Sequence, residues 1–311
     1  MLHFAVNWLA ATPGFATPYA LAALGLIVSE RSGVLSLGAE GFMLVGALAG
    51  VATELELGGY PGIALLAAML AAAAVSLLFA FLVVFLRVNQ VIAGLAIVFF
   101  CYGLTGLLGT LGGWTNRAIT GLHAVAIWPL SEIPIVGKIL FSQDLVVYLA
   151  IPIFFLVNYV LTRSMVGLRL RSVGENPQAA DAAGVSVSLY RLGAVIAGSA
   201  LVGLAGGYLS IVDVKLWIPN ISGGRGWIAI ALVIFARWQP WRALFGGILF
   251  GSIEALIPHI AAAGIQLPQY FLQMTPYLAT IAVMVWAGAT KFGRANEPAA
   301  LGQPYLREER R

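Results

Sequence analysis

Residues 61–86 read PGIALLAAMLAAAAVSLLFAFLVVFL, an unbroken stretch with no charged side chain that closes at Arg87. About 20 apolar residues in a helix cross the hydrocarbon core of a bilayer, so this stretch is long enough to span it with some tilt. Working outward, further apolar runs fall near 14–28, 34–52, 91–111, 145–162, 191–212, 226–236, 241–257 and 270–289. Of the whole chain, 60% is hydrophobic and only 10% charged, against about 25% charged in an ordinary soluble domain. Such a chain lacks the charge to coat a water-facing surface. It predicts an all-α polytopic membrane protein with about eight to ten transmembrane helices.

Ser29, Glu30, Arg31, Ser32 and Gly33 interrupt the first two runs, leaving either one broken helix or two spans. The 36 glycines would weaken helices in water but let membrane helices approach closely. Cys101 is the single cysteine, which excludes a disulfide framework or a cysteine-based metal site within one chain. The net charge of +4 comes from basic residues scattered singly between apolar runs, a pattern set by membrane topology and not by nucleic acid. Residues 1–13 carry no Lys or Arg, so the basic start of a cleaved secretory signal is missing and the first helix is expected to persist.

The charges set an orientation. With the segment 163–191 inside, Arg87, Arg163, Arg169, Arg171, Arg191, Arg237, Arg242, Lys291, Arg294, Arg307, Arg310 and Arg311 fall on the cytoplasmic side, joined by Arg31 if its break reaches that face. Arg117, Lys138, Lys215 and Arg225 are left outside, which agrees with the excess of basic residues in cytoplasmic loops. The connection 112–144, with Trp114, Trp128, Pro129 and Pro134, is then external, either a plain loop or a surface-lying element that meets an external partner. Residues 1–295 form the transmembrane domain, and residues 296–311 read as a disordered cytoplasmic tail.

Between two spans lies GLRLRSVGENPQAADAAGV, Gly167–Val185, polar where its surroundings are apolar. Asn176 is placed to cap a short helix with Pro177 at its first position, where the missing N–H costs nothing, and Gly184 is placed to end it. Small side chains at Ala179, Ala180, Ala182 and Ala183 suit the groove of another protein, and Glu175 and Asp181 suit its basic residues. Standing alone, the segment would be an ordinary amphipathic loop.

It does not stand alone. It occurs with Glu30–Gly41 (ERSGVLSLGAEG), Val88–Leu95 (VNQVIAGL) and Gly224–Ala231 (GRGWIAIA), the last continuing through Phe235–Pro240 to Gly246, Gly247 and Gly251. As an ordered set these blocks resemble the permease subunits of ATP-binding-cassette importers for branched-chain amino acids, simple sugars and nucleosides, and most of all the smaller nucleoside-type permeases. The resemblance implies a cytoplasmic coupling helix within about 167–190, with Gly174, Glu175, Asn176, Pro177, Ala180, Asp181 and Gly184 docking on an ATPase subunit. It further implies a second permease subunit, either a homologue or another copy of this chain, and an extracytoplasmic solute-binding protein in an inner membrane, while the charge pattern puts the C-terminus in the cytoplasm. Relatives usually carry Asn-Ile after the Gly-Val of the first block, where this chain has Leu35-Ser36-Leu37; Ser36 keeps a hydroxyl but no amide.

Candidates for the substrate path are Ser36, Glu40, Asn89, Gln90 and Trp227. Two roles are open to Glu40: a hydrogen bond to a ribose or base, or a brace for backbone N–H groups freed near Gly38 and Gly41. Asn89 and Gln90 either line the inner mouth or cap the helix behind them. Glu254, near Pro258 and His259, reads as an interfacial carboxylate, and Trp217 and Trp227 read as interfacial anchors. Asp213 and Lys215 read as solvated charges or a docking surface for a binding protein.

No Gly-x-x-x-x-Gly-Lys-Ser/Thr loop is present, so ATP hydrolysis belongs to a partner, and no cofactor of the chain's own is expected. His3, His123 and His259 are far apart and form no metalloprotease motif. The competing classes are a permease for sugars or branched-chain amino acids and, further off, an ion-coupled secondary carrier using Glu40.

Overall fold

The computed structural model of the chain describes residues 2–262, 264, 268, 274–275, 277–282, 285 and 297–306. The helices are α1 (Leu2–Glu30), α2 (Ala39–Leu57), α3 (Pro61–Ala80), α4 (Gln90–Leu111), α5 (Val136–Leu140), α6 (Leu145–Arg163), α7 (Met165–Glu175), α8 (Pro177–Ala182), α9 (Val187–Tyr208), α10 (Arg225–Ala236) and α11 (Pro240–Ala262). Wider π turns prolong α3 through Phe81–Phe85 and α9 through Leu209–Asp213. The strands β1 (Ala124–Ala126) and β2 (Ser142–Asp144) form a small antiparallel pair. The expected all-α membrane architecture is thus present.

Among the described residues, six helices are long and apolar enough to cross a membrane: α1, α3, α4, α6, α9 and α11. The count of eight to ten was looser than this, and the run at 270–289 lies largely outside the described residues. Leu70, Phe99, Phe155 and similar side chains on α3, α4 and α6 are exposed, as a lipid-facing surface requires.

Two boundaries differ from the sequence reading. α1 begins near residue 2 and runs through Pro13 and Pro18, because a helix shielded by lipid and neighbours tolerates prolines that would end one in water. α2 begins at Ala39, and residues 34–36 before it have no regular secondary structure, so the first two runs are separate helices joined by a non-helical elbow.

α9 is the hub, packing on α1, α2 and α3, while α1 also packs along α11. Backbone-to-backbone approach makes this possible, and Gly206 is the clearest case: a methyl group there would overlap the Met43 carbonyl of α2. Gly193, on the same helix, has nothing within 4 Å of that position. Gly206→Ala should therefore lower the midpoint of thermal unfolding in detergent, at a cost of about 1–3 kcal/mol from overpacking. Gly193→Ala should leave it unchanged or raise it slightly.

The two ends of the bundle are distinct. At one, Trp8 of α1 donates to the Ser252 carbonyl of α11 (2.7 Å) and Lys138 donates to Asn7 (2.7 Å). At the other lie the end of α1, α7, α8 and residues 297–306. Those last residues are packed against the bundle, with Ala300 only 5% exposed, and are not the free tail read from their composition.

Candidate functional site

Two helices start inside the bundle instead of at its surface. Residues 31–38 lead from the end of α1 to α2, and residues 214–224 lead from the extension of α9 to α10. The two helix starts meet at Glu40, which is fully buried. One carboxylate oxygen accepts from the Ser222 hydroxyl (2.5 Å) and the Gly224 N–H (2.9 Å), and the other from the Gly226 N–H (2.7 Å). Glu40 therefore does what an N-terminal cap does, but across two chain segments and with a full charge. Of the two roles open to it, bracing is the one its contacts display.

The depth of this junction follows from helix geometry. The 12 residues of α10 rise about 18 Å. They end where Trp238 Nε1 donates to the buried Glu30 carboxylate (2.6 Å) and Arg31 donates to the Trp238 carbonyl (3.0 Å). In the other direction, Glu40 and Glu54 lie on one helix about 21 Å apart. Glu54 fastens the opposite end by accepting from Thr120 (3.0 Å) and the Gly121 N–H (2.7 Å). Glu40 sits about midway.

An open wall flanks the junction. Gly223 and Tyr277 are exposed, Trp227 and Tyr102 half-buried, and the Tyr277 hydroxyl donates to the Gly223 carbonyl (3.0 Å). Tyr102 and Tyr277 both lie close enough to Glu40 to feel its charge. Trp227 follows the Gly226 N–H held by Glu40, so the junction sets where its main chain lies. This is a surface of aromatic faces with a few polar groups, the usual make-up of a site for a flat polar solute.

The other path candidates cluster at the elbow. Ser36 is buried in the elbow, and Gln90, also buried, accepts from the neighbouring Leu35 N–H (2.6 Å). Asn89 caps α4, its Oδ1 accepting from Val91 (3.0 Å) and Ile92 (3.2 Å). Of the two roles open to this pair, Asn89 takes capping, and Gln90 holds the elbow to α4.

Several placements read from the sequence are corrected. Arg225 is not in an outer loop: it opens α10 beside Glu40 and forms an ion pair with Glu254 of α11. Glu254 also accepts from the Tyr19 hydroxyl of α1 (2.7 Å), so it is an internal tie and not an interfacial carboxylate. Trp217 is fully buried against Leu44, Ala47, Leu48 and Val51 of α2, where an interfacial anchor had been expected. The main chain of Lys215 is paired, its carbonyl accepting from Ile119 (3.0 Å). The stretch 112–144 folds into β1, β2 and α5, with Trp128, Ile135 and Leu140 exposed.

The second candidate surface is at the far end. Asn176 caps α8 by accepting from the Ala179 N–H (2.9 Å), Pro177 is its first residue, and Gly184 follows at φ +81°. Ala180 turns inward against Val173, Val187 and Tyr305, so it is not part of the docking face expected of it. Gln178, Ala179, Ala182, Ala183 and Gly184 face outward. Glu175 accepts from the Ala299 N–H (3.3 Å), so its carboxylate is already used within the chain. Nearby, burial pulls the Arg31 guanidinium below its usual pKa, with the Glu175 charge opposing.

Known proteins resemble this chain along nearly its whole length. A family profile described as branched-chain amino acid transport system / permease component matches residues 9–284. A putative glucose ABC transporter permease protein of Haloferax volcanii is 39% identical, over 99% of both chains. A guanosine ABC transporter permease protein of Bacillus subtilis is 37% identical, over 96% of both. A nucleoside ABC transporter permease protein of Lactococcus lactis is 33% identical, over 95% of both.

Proposed function

The chain belongs to the family of branched-chain amino acid transport system permease components, and from that premise we propose that it is the membrane-spanning subunit of an ATP-driven importer for a nucleoside or purine-like solute. It forms the path and performs no catalysis. ATP is hydrolysed by a cytoplasmic ATPase subunit, a solute-binding protein delivers substrate at the end bearing residues 112–144, and a second, homologous permease subunit completes the path. The protein needs no cofactor of its own. The end carrying α7, α8 and residues 297–306 lies in the cytoplasm of a bacterial-type cell, in keeping with the distribution of Lys and Arg.

The observation that carries this reading is α8. It is a capped, six-residue helix whose outward side chains are small, which suits insertion into a groove. In the working cycle, ATP binding draws two ATPase subunits together, α8 moves with them, and the helices that begin at Glu40 open outward; hydrolysis resets them. The relatives named for guanosine and nucleosides support the substrate class. So does the wall of Tyr102, Trp227 and Tyr277, since bases stack on aromatic faces. The relative named for glucose favours a sugar as the second reading.

Ala179→Arg with Ala183→Arg tests the interface without touching the core. The tagged intact chain, extracted in mild detergent, should co-purify with a Walker-motif ATPase, and the double variant should lose most of it. Retention of the ATPase by the variant would move the interface elsewhere, and its absence from the intact chain would favour an ion-coupled carrier. Uptake of labelled guanosine into cells expressing the whole system, competed by excess adenosine or excess glucose, separates the two substrate readings.

A further inference from the structure

We propose that residues 298–305 form a coupling strap, which transmits movement of the α8 platform to the elbow below Glu40; the proposal rests on the ATPase-coupled reading above. The segment is held by three parts of the protein at once. From α7, Glu175 and Gly174 accept from the N–H groups of Ala299 (3.3 Å) and Ala300 (2.9 Å). From the elbow, the Gly33 carbonyl accepts from Gly302 (3.2 Å). From α9, Arg191 donates to the Gln303 carbonyl (3.1 Å). Tyr305 completes the contact by packing on Val173, Ala180 and Val187, and Ala180 is the one residue of α8 that faces inward.

These contacts differ in kind from those of an end that merely adheres. Arg191 is 2% exposed, and the Gln303 carbonyl is the only hydrogen-bond acceptor its guanidinium has among the described residues. A buried cation needs acceptors, so the strap is built into that site and not laid over it. Gly33 and Gly302 both have positive φ, +85° and +76°, which lets the two main chains meet. A side chain at Gly174 would overlap the Arg31 carbonyl, so the end of α7 and the elbow touch directly beneath the strap. From Gly33 the chain runs through residues 34–38 to Glu40. Platform, strap, elbow and junction are therefore physically contiguous: main-chain hydrogen bonds join the strap to α7 and to the elbow, and the side chains of Tyr305 and Arg191 join it to α8 and α9.

The test uses the complete transporter, purified with its ATPase and binding protein and reconstituted in proteoliposomes. Two variants are compared with the intact chain: one lacking residues 298–311, and Gly302→Val, which keeps the length but disfavours the positive φ. The readouts are co-purification of the ATPase, ATP hydrolysis, and substrate taken up per ATP. Both variants should keep the ATPase and hydrolyse ATP within about twofold of the intact complex, while uptake per ATP falls about tenfold. Unchanged uptake per ATP in both variants would overturn the proposal. Loss of the ATPase from both would make the segment a docking surface, and failure of both to fold would make it structural; either result also overturns it. If the intact chain itself brings no ATPase, the importer reading fails, and that outcome is separate from the others.

Discussion

Glu40→Ala abolishes uptake, lowering it about a hundredfold or more, while the subunit still inserts and still brings its ATPase. Three donors, the Ser222 hydroxyl and the N–H groups of Gly224 and Gly226, converge on this carboxylate at the centre of the bundle. Each loses its acceptor in Ala, at about 1–3 kcal/mol per buried group. The loss is local to the starts of α2 and α10, whereas α8 is seated on Val173, Val187 and Tyr305, so assembly is spared while the path is not. Glu40→Gln is the informative companion. It preserves shape but offers one acceptor oxygen, and its amide points N–H at N–H, so intermediate uptake is expected. Labelled-solute uptake beside ATPase co-purification checks both. Glu40→Ala with uptake within about twofold of the intact chain would remove the junction from the mechanism.

The second large effect concerns Arg225 and Glu254. Their side chains are 19% and 15% exposed, so each single truncation strands a mostly buried charge. Arg225→Met and Glu254→Leu should each cost about 2–3 kcal/mol, below the range for fully buried pairs because some water reaches the site. The double variant Arg225→Met with Glu254→Leu should recover most of that loss, since two apolar side chains of similar volume need no partner. Thermal unfolding in detergent across the four proteins gives the interaction energy, expected at about 3 kcal/mol. Additive losses in the double variant would mean that the two residues act separately.

How much of this was legible in the sequence depends on how local each feature is. The α8 cap was readable because Asn176, Pro177 and Gly184 act within eight residues of one another, and their side chains or φ preferences declare the role. Asn89 was readable for the same reason. Glu40 could be recognised as facing protein, since a carboxylate in an apolar helix has nowhere else to go, but its partners could not be named because two of the three are main-chain N–H groups. Arg225 and Glu254 were missed because they sit on different helices and each has an ordinary explanation alone. A signal was available: Glu254 lies within an apolar run, and Arg225, of opposite sign, opens the neighbouring one.

Residues 297–306 were misread for a related reason. Glu297, Pro298, Gly302, Gln303 and Pro304 have the composition of a free end, yet the segment is held by its carbonyl and N–H groups, which composition does not reveal. The first apolar run was placed near 14–28, whereas α1 begins at Leu2 and continues through Pro13. Trp217 was assigned to the interface by residue type, whereas its burial comes from the fold of the loop 214–224 onto α2.

The meeting of α2 and α10 also has an electrical side. The start of a helix carries about half a positive charge, and membrane proteins commonly use such starts inside the bilayer to hold the carboxylate of a substrate. Here two starts converge on one point and the protein's own carboxylate already fills it. The positive potential that would attract an anionic or zwitterionic solute is cancelled at its source. What remains beside it is the nearly neutral aromatic wall of Tyr102, Trp227 and Tyr277. A lining of that sort sets little electrostatic barrier to uncharged solutes such as nucleosides and sugars, and it offers the carboxylate of an amino acid no vacant helix end to bind.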